Sequence, residues 1–381
     1  MSLTVIRLST LLFVAAIVVG DAVSAPADAP SAQTAPPPRP DMVIDAGVRQ
    51  QAIDELAVQM GANYVFPDVG EKMVAAVRAH HAAGAYDKIS SARAFAELLG
   101  THLVEVSKDK HIRVRYSREA LPPEGDAKVE PKRSKAEEAR AAAFDRWMSY
   151  GFSKFEKMDG NIAYLELRGF ADAKGGAKTV QTFMSAAADA DALIIDLRRN
   201  GGGEPAMVAL ISSYLFGAAK VHLNDLYYRP TNKTEQYFTN PKAPGAHYGP
   251  DKPIYILTSK RTFSAAEEFT YNMKNLKRAI IVGETTGGGA NPGGGRRTGE
   301  HFMTFIPSGR AINPITKTNW EGTGVTPDVA VPADQALLTA RIMATRPMVE
   351  ALKDPRFREG AGGMLAELQA ELDKLKAKPA Q

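Results

Sequence analysis

Residues 254–268 read Ile-Tyr-Ile-Leu-Thr-Ser-Lys-Arg-Thr-Phe-Ser-Ala-Ala-Glu-Glu, and residues 283–288 read Gly-Glu-Thr-Thr-Gly-Gly. An apolar run of strand length gives way, at Ser264, to the spacing of an amphipathic helix. A hydroxyl at such a junction lies beside backbone N–H groups without an intrahelical partner, at the positive end of the helix dipole. An oxyanion forming there would be stabilised. Ser264-Ala-Ala-Glu267 equally fits a helix capping box, in which the serine only satisfies a backbone donor. The local sequence leaves both readings open.

A second unit of the same kind lies upstream. Residues 192–205 read Ala-Leu-Ile-Ile-Asp-Leu-Arg-Arg-Asn-Gly-Gly-Gly-Glu-Pro, a strand-length apolar run that breaks into Asn200 and three glycines before another helical stretch. Glycines at a strand end allow a sharp turn and close approach of backbone N–H groups to a ligand. Alone, such a turn is more often only a turn. Two further segments matter: Trp320-Glu-Gly-Thr-Gly-Val-Thr-Pro-Asp-Val, and Ser107-Lys-Asp-Lys-His-Ile-Arg-Val-Arg-Tyr, with His111 expected at the start of an alternating strand.

Taken together and in this order, the four segments resemble the S41 family of serine peptidases. That family includes the tail-specific processing proteases, the tricorn core proteases and the interphotoreceptor retinoid-binding protein repeats. The resemblance covers residues 45–332. It implies an α/β core of the ClpP/crotonase-like kind behind a small helical N-terminal domain. In such a core the Gly-rich turn and the nucleophile's helix meet at one edge of the sheet. The processing proteases carry a catalytic lysine in the segment equivalent to Gly283–Ala290; here Gly289 stands at that position, so a Ser-Lys dyad is absent. The tricorn-like branch instead supplies a histidine from the N-terminal side and a late glutamate, and His111 and Glu321 occupy those places. The residues before that histidine differ, since Lys110 stands where the tricorn proteases carry a serine.

The expected catalytic set is therefore Ser264, His111 and Glu321, with the N–H groups of Ala265 and of Gly201 or Gly202 as the oxyanion hole. The chemistry is consistent with that assignment. A near-neutral imidazole can take the hydroxyl proton and return it to a leaving amine, while a carboxylate fixes its tautomer. The order His, Ser, Glu along the chain is no objection, because such triads are recognised by geometry. The function implied is hydrolysis of peptide bonds by an exported serine endopeptidase. Retinoid-binding repeats carry apolar ligands on the same kind of core, so a non-catalytic binding module is the alternative.

No cofactor and no metal site is expected. His80 and His81 are helix neighbours and cannot chelate one ion from one face. His102 reads as packing or surface, and His222, His247 and His301 lack partners at ligand spacing. The 381 residues carry 47 basic and 43 acidic side chains, a net charge of +4. The two signs are interleaved along the sequence, with no continuous basic run suited to a phosphate backbone, which argues against nucleic acid as partner. A peptide or unfolded protein is the expected substrate, and self-association is left open.

The N-terminus reads as a targeting signal. Met1–Arg7 is a short positive n-region and Leu8–Gly20 an apolar segment too short to span a bilayer comfortably. A periplasmic or secreted location follows, with no membrane insertion beyond that segment. The absence of cysteine removes a lipoprotein anchor and any disulfide framework. The expected organisation is a signal peptide over 1–25, a Pro/Ala-rich linker over 26–42 and a helical domain over 43–116 ending in the His111 strand. A polar linker and helix over 117–145, an α/β core over 146–332 and a helical tail over 333–381 complete it. The stretch after Ser117 is too short for the substrate-binding PDZ domain of the processing proteases, which again favours the tricorn-like and retinoid-binding-protein-like branch.

Overall fold

Three helices open the chain: α1 (Ala46–Asn63), α2 (Pro67–Ala82) and α3 (Ala92–Ser107). Side-chain caps start two of them, with Asp45 accepting the Val48 N–H and Ser91 the Ala94 N–H. Their apolar faces bury Ile53, Leu56, Met60, Met73, Phe95 and Leu99 in one cluster. At about 1.5–3 kcal/mol per fully buried large side chain, that cluster dominates local stability. It is completed by Phe302 and Ile306 from far down the chain. The computed structural model describes residues 41–123 and 134–377. The expected signal segment, all but the last two residues of the Pro/Ala-rich linker, and part of the polar linker lie outside the described residues.

α3 ends in Lys108, a non-glycine residue at φ 59°. This left-handed cap swings the chain out of the helix axis, and the Asp109 side chain accepts the His111 N–H at 3.0 Å to close a tight turn. His111 thus sits in the turn itself, one residue before Ile112 and ahead of β1 (Arg113–Tyr116), rather than in the strand as its alternating flank predicted. β1 pairs antiparallel with β10 (Phe302–Pro307), which pairs with β9 (Gly293–Arg297).

The core is a six-stranded sheet of β2 (Phe152–Met158), β3 (Ile162–Leu167), β4 (Ala192–Asp196), β7 (Ile254–Thr258), β8 (Ile280–Gly283) and β12 (Val329–Ala330). Their spatial order is β12-β8-β7-β4-β3-β2, all parallel except the antiparallel edge strand β2. Every residue of β4 and β7 is buried, which is why both read as continuous apolar runs. Helices α5 (Ala173–Ala187), α6 (Pro205–Ser212) and α7 (Ala265–Asn275) alternate with these strands. They contribute Val180, Met184, Val208, Ile211, Phe269 and Met273 to the main core. On another face of the sheet α8 (Ala336–Ala351) places Ala336, Ala340 and Ala344 against Ile194, Tyr255 and Val282.

Helix α4 (Lys135–Trp147) precedes the core, and β5 (His222–Tyr228), β6 (Lys233–Phe238) and β11 (Gly309–Ile312) form a separate three-stranded sheet. The tail helix α9 (Pro355–Lys376) lays Leu368 and Leu372 on Leu338 and Ile342 of α8. Among the described residues no helix is long and apolar enough to cross a membrane. What matters for function is one adjacency. β4 and β7 are parallel neighbours, so the loops leaving their carboxyl ends, one Gly-rich and one carrying Ser264, emerge side by side.

Candidate active site

The loop after β7 is tied to the loop after β4 by three hydrogen bonds. Thr262 Oγ1 donates to Leu197 O at 2.8 Å, Ser259 Oγ to Arg198 O at 2.6 Å, and the Phe263 N–H to Asn200 O at 3.1 Å. Asn200, fully buried, donates in turn to Leu167 O at 3.0 Å. This lattice holds Ser264 at φ 56°, ψ −125°, a conformation that costs a non-glycine residue about 1–3 kcal/mol. Strain of this kind at a strand-to-helix elbow lifts a side chain out of the turn.

Glu267 fixes the elbow from below. Its fully buried carboxylate accepts the Ser264 N–H at 2.9 Å, the Gly288 N–H at 2.6 Å, the Gly289 N–H at 2.9 Å and the Thr286 hydroxyl. Burial pushes its pKa above the usual carboxylate range, and the four donors pull it back. The glutamate half of a capping box is therefore present, and it does not compete with a role for the serine. Glu267 ties down the Ser264 backbone, and the strained φ/ψ is what aims the residue.

The Gly turn packs directly on the elbow. A Cβ on Gly202, at φ 106°, would lie 2.6 Å from Ser264 Cβ and 2.9 Å from the Ala265 nitrogen, so only glycine fits. Its own N–H is donated to Asn200 Oδ1 at 2.9 Å. Gly201, by contrast, borders open space. A cleft of about 720 Å³ opens here, lined by Gly201, Phe263 and Gly287 together with a set of basic side chains.

His111 reaches the same place from the N-terminal region. Its ring lies 4.6 Å from the ring of Phe263, the residue before Ser264, and 5.9 Å from that of Phe305. Two carboxylates flank it. Asp109 Oδ1 lies 3.7 Å from Nδ1, and the donor atoms of Asp109, His111 and Glu321 all fall within 4.8 Å of one another. Neither ring nitrogen makes a hydrogen bond among the described residues.

Glu321 accepts the Ala290 N–H at 2.6 Å through Oε2, while Oε1 is buried without a partner. Its pKa is pushed up to about 7, first by burial and then by the Asp109 charge. The second carboxylate, Asp109, is one that sequence reasoning missed. It is buried and held by Asn291 Nδ2 at 2.9 Å and the Tyr64 hydroxyl at 3.4 Å. An acid two positions before the histidine was the available signal.

Gly289 takes its meaning from this packing. A Cβ there would sit 2.2 Å from Phe263 Cζ and 2.7 Å from His111 Cε1. The ring of His111 and its neighbour fill the space a side chain at 289 would need. Trp320 Nε1 donates to Gly289 O at 2.7 Å and holds that backbone in place.

With this geometry established, comparison with known proteins decides the family. Residues 161–331 match the family model described as Peptidase family S41, and residues 48–146 match the N-terminal domain of Peptidase_S41 in eukaryotic IRBP. The chain belongs to peptidase family S41. The tail-specific protease of Haemophilus influenzae is 29% identical over 143 residues, covering 35% of this S41 chain and 18% of that protein. The match therefore spans less than a fifth of that relative's length. Among solved structures, a protein from Parabacteroides merdae superposes with a TM-score of 0.54 at 17% identity, covering 78% of this chain and 96% of that one. A lipoprotein from Streptococcus agalactiae superposes at 0.52 and 12% identity, covering 83% and 99%. These two likenesses concern the S41 fold alone.

Two groups in this S41 chain have the donor types for a cation. One is the Asp109, His111 and Glu321 set; the other is His80, His102 and Glu105 in the helical region. In the second, the two imidazoles stack at 3.8 Å with an interplanar angle of 9°, and His102 Nδ1 is engaged by the Tyr86 hydroxyl at 2.7 Å. That face-to-face stacking suits packing better than convergence on an ion.

Proposed function

We propose that this chain is an exported serine endopeptidase. Ser264 Oγ attacks the peptide carbonyl, His111 takes the proton and passes it to the leaving amine, and Glu321 orients the imidazole, with Asp109 as a second anchor on it. The observation that carries the reading is the strained Ser264 elbow, backed by Gly202 and bordered by a histidine flanked by two carboxylates, Asp109 buried and Glu321 partly so. The Ala265 and Gly201 N–H groups form the oxyanion hole, since the Gly202 N–H is already given to Asn200. Export rests on the N-terminal apolar segment, with its short positive n-region.

The competing reading, an apolar-ligand carrier, finds little support in the cleft. Among the described residues, Phe263 is the one bulky apolar side chain lining it. The test is cleavage of a peptide library by the mature protein beside its Ser264→Ala variant, read by mass spectrometry. Cleavage by the first alone supports the proposal; equal cleavage by both, or by neither with folding intact, ends it.

A further inference from the structure

The cleft beside Ser264 gathers six cationic side chains: Lys110, Arg113, Arg168, Arg199, Lys260 and Arg261. They come from four separate stretches of sequence, which is why no basic run announces them. Their clustering is not a by-product of overall charge, because the chain as a whole is nearly balanced at +4. Most of this charge is uncompensated. Arg168 pairs with Glu166 at 2.7 Å, and Lys110 Nζ donates to the neutral carbonyl of Gly287 at 2.6 Å. Among the described residues no carboxylate forms an ion pair with Arg113, Arg199, Lys260 or Arg261. Like charges crowded in one concavity repel one another, and an anionic occupant relieves that repulsion.

From this geometry we infer that the cleft selects peptide segments rich in aspartate or glutamate. The inference rests on the peptidase reading and adds the substrate class. Gly201 and Phe263, which belong to the Gly turn and the nucleophile elbow, line the same cleft. An acidic segment held there therefore lies against the residue before Ser264 and against the Gly turn. Six cations outnumber what one terminal carboxylate could engage, so acidic side chains along a chain are the better match.

The experiment measures binding apart from turnover. Fluorescein-labelled, C-terminally amidated peptides of Glu-Ala repeats, with their Gln-Ala and Lys-Ala counterparts, are titrated into the folded Ser264→Ala protein and followed by anisotropy. The Glu-Ala peptide is expected to bind roughly tenfold or more tightly than the Gln-Ala peptide at low salt, with the difference collapsing at molar salt. Arg113→Ser, Lys260→Ser and Arg261→Ser should each narrow that gap, whereas Lys374→Ser on the tail helix should not. Circular dichroism checks that each variant is folded.

Equal binding of the Glu and Gln peptides, or tighter binding of the Lys peptide, overturns the inference. So does a free-acid Gln-Ala peptide that matches the Glu-Ala peptide, which would assign the cleft to a terminal carboxylate. A single-stranded oligonucleotide that binds more tightly than the Glu-Ala peptide would assign it to nucleic acid. Cleavage of Gln-containing peptides as fast as their Glu forms would spare the peptidase reading and sink this one. Charge-selective binding with no cleavage of any peptide would do the reverse.

Discussion

The Glu267 carboxylate accepts the Ser264 N–H at 2.9 Å and, with the same two oxygens, the N–H groups of Gly288 and Gly289. One buried side chain thus sets the position of the elbow and of the glycine loop that borders His111. Glu267→Ala strands three backbone donors and the Thr286 hydroxyl in a dry interior. The expected loss is about 3 kcal/mol or more of stability, with turnover falling as well. Glu267→Gln keeps the shape and one acceptor, so it should fall between. Urea unfolding beside peptide cleavage checks this, and an unchanged midpoint for Glu267→Ala would contradict it.

Strain at Ser264 predicts a trade between stability and activity. Glycine adopts φ 56°, ψ −125° without the penalty a serine meets there. Ser264→Gly should therefore raise the unfolding free energy by about 1 kcal/mol while abolishing cleavage. Thermal and urea melts of the two proteins decide it; a destabilised glycine variant would mean that the Ser264 side chain contributes more packing than strain.

Glu321 supplies a pH dependence. Its pKa of about 7 is raised by burial, by Asp109 and, more weakly, by Glu267, while the Ala290 and Asn291 N–H groups oppose the rise. The ionised form is the one that can hold and stabilise a protonated His111, so cleavage should increase as pH rises through about 7. The Asp109 charge is part of the cause. Asp109→Asn should move this limb to lower pH, and Glu321→Gln should lower activity and flatten it. Profiles of kcat/KM against pH for the three proteins give the answer.

Glu268 predicts a second pH effect, on folding. Its buried side chain contacts the Asn224 and Asn272 amides, and burial pushes its pKa up to about 8. The folded state holds a proton that the unfolded state releases at the ordinary carboxylate value. Its contribution is full below that ordinary value and is lost as pH rises towards about 8. Glu268→Gln should remove that part of the slope, leaving the variant relatively more stable at about pH 9 than at about pH 5. Urea titrations at the two pH values measure it.

Gly289→Ala tests the packing of His111. The added methyl would meet the Phe263 ring at 2.2 Å and His111 Cε1 at 2.7 Å. Overpacking of this kind costs about 1–3 kcal/mol. Displacement of the imidazole should reduce kcat more than it changes KM.

Much of this was legible in the sequence because it is local. The apolar runs of β4 and β7, the glycines after one and Ser264 after the other are contiguous signals, and their adjacency follows from parallel pairing. Asp109 was not legible. Its burial depends on Asn291, 182 residues away, and on Tyr64, 45 residues away, and without them an acid between two lysines reads as solvated. The basic cleft escaped for the same reason, since its cations come together only when four segments fold. His111 was placed in a strand by its alternating flank, whereas the Lys108 cap and the Asp109 turn hold it just ahead of one.

The link between Asp109 and Asn291 also bears on when the protein becomes dangerous to its surroundings. Asp109 leaves the ribosome early, yet the amide that holds it, the Phe302 and Ile306 side chains that finish the helical core, and Glu321 beside the imidazole all arrive late. A nascent or truncated chain ending before these residues has the histidine without Glu321, Asp109 without its amide partner and the helices without their seal. On the proposed mechanism the order of synthesis is itself a safeguard, keeping His111 apart from Glu321 until most of the polypeptide is available.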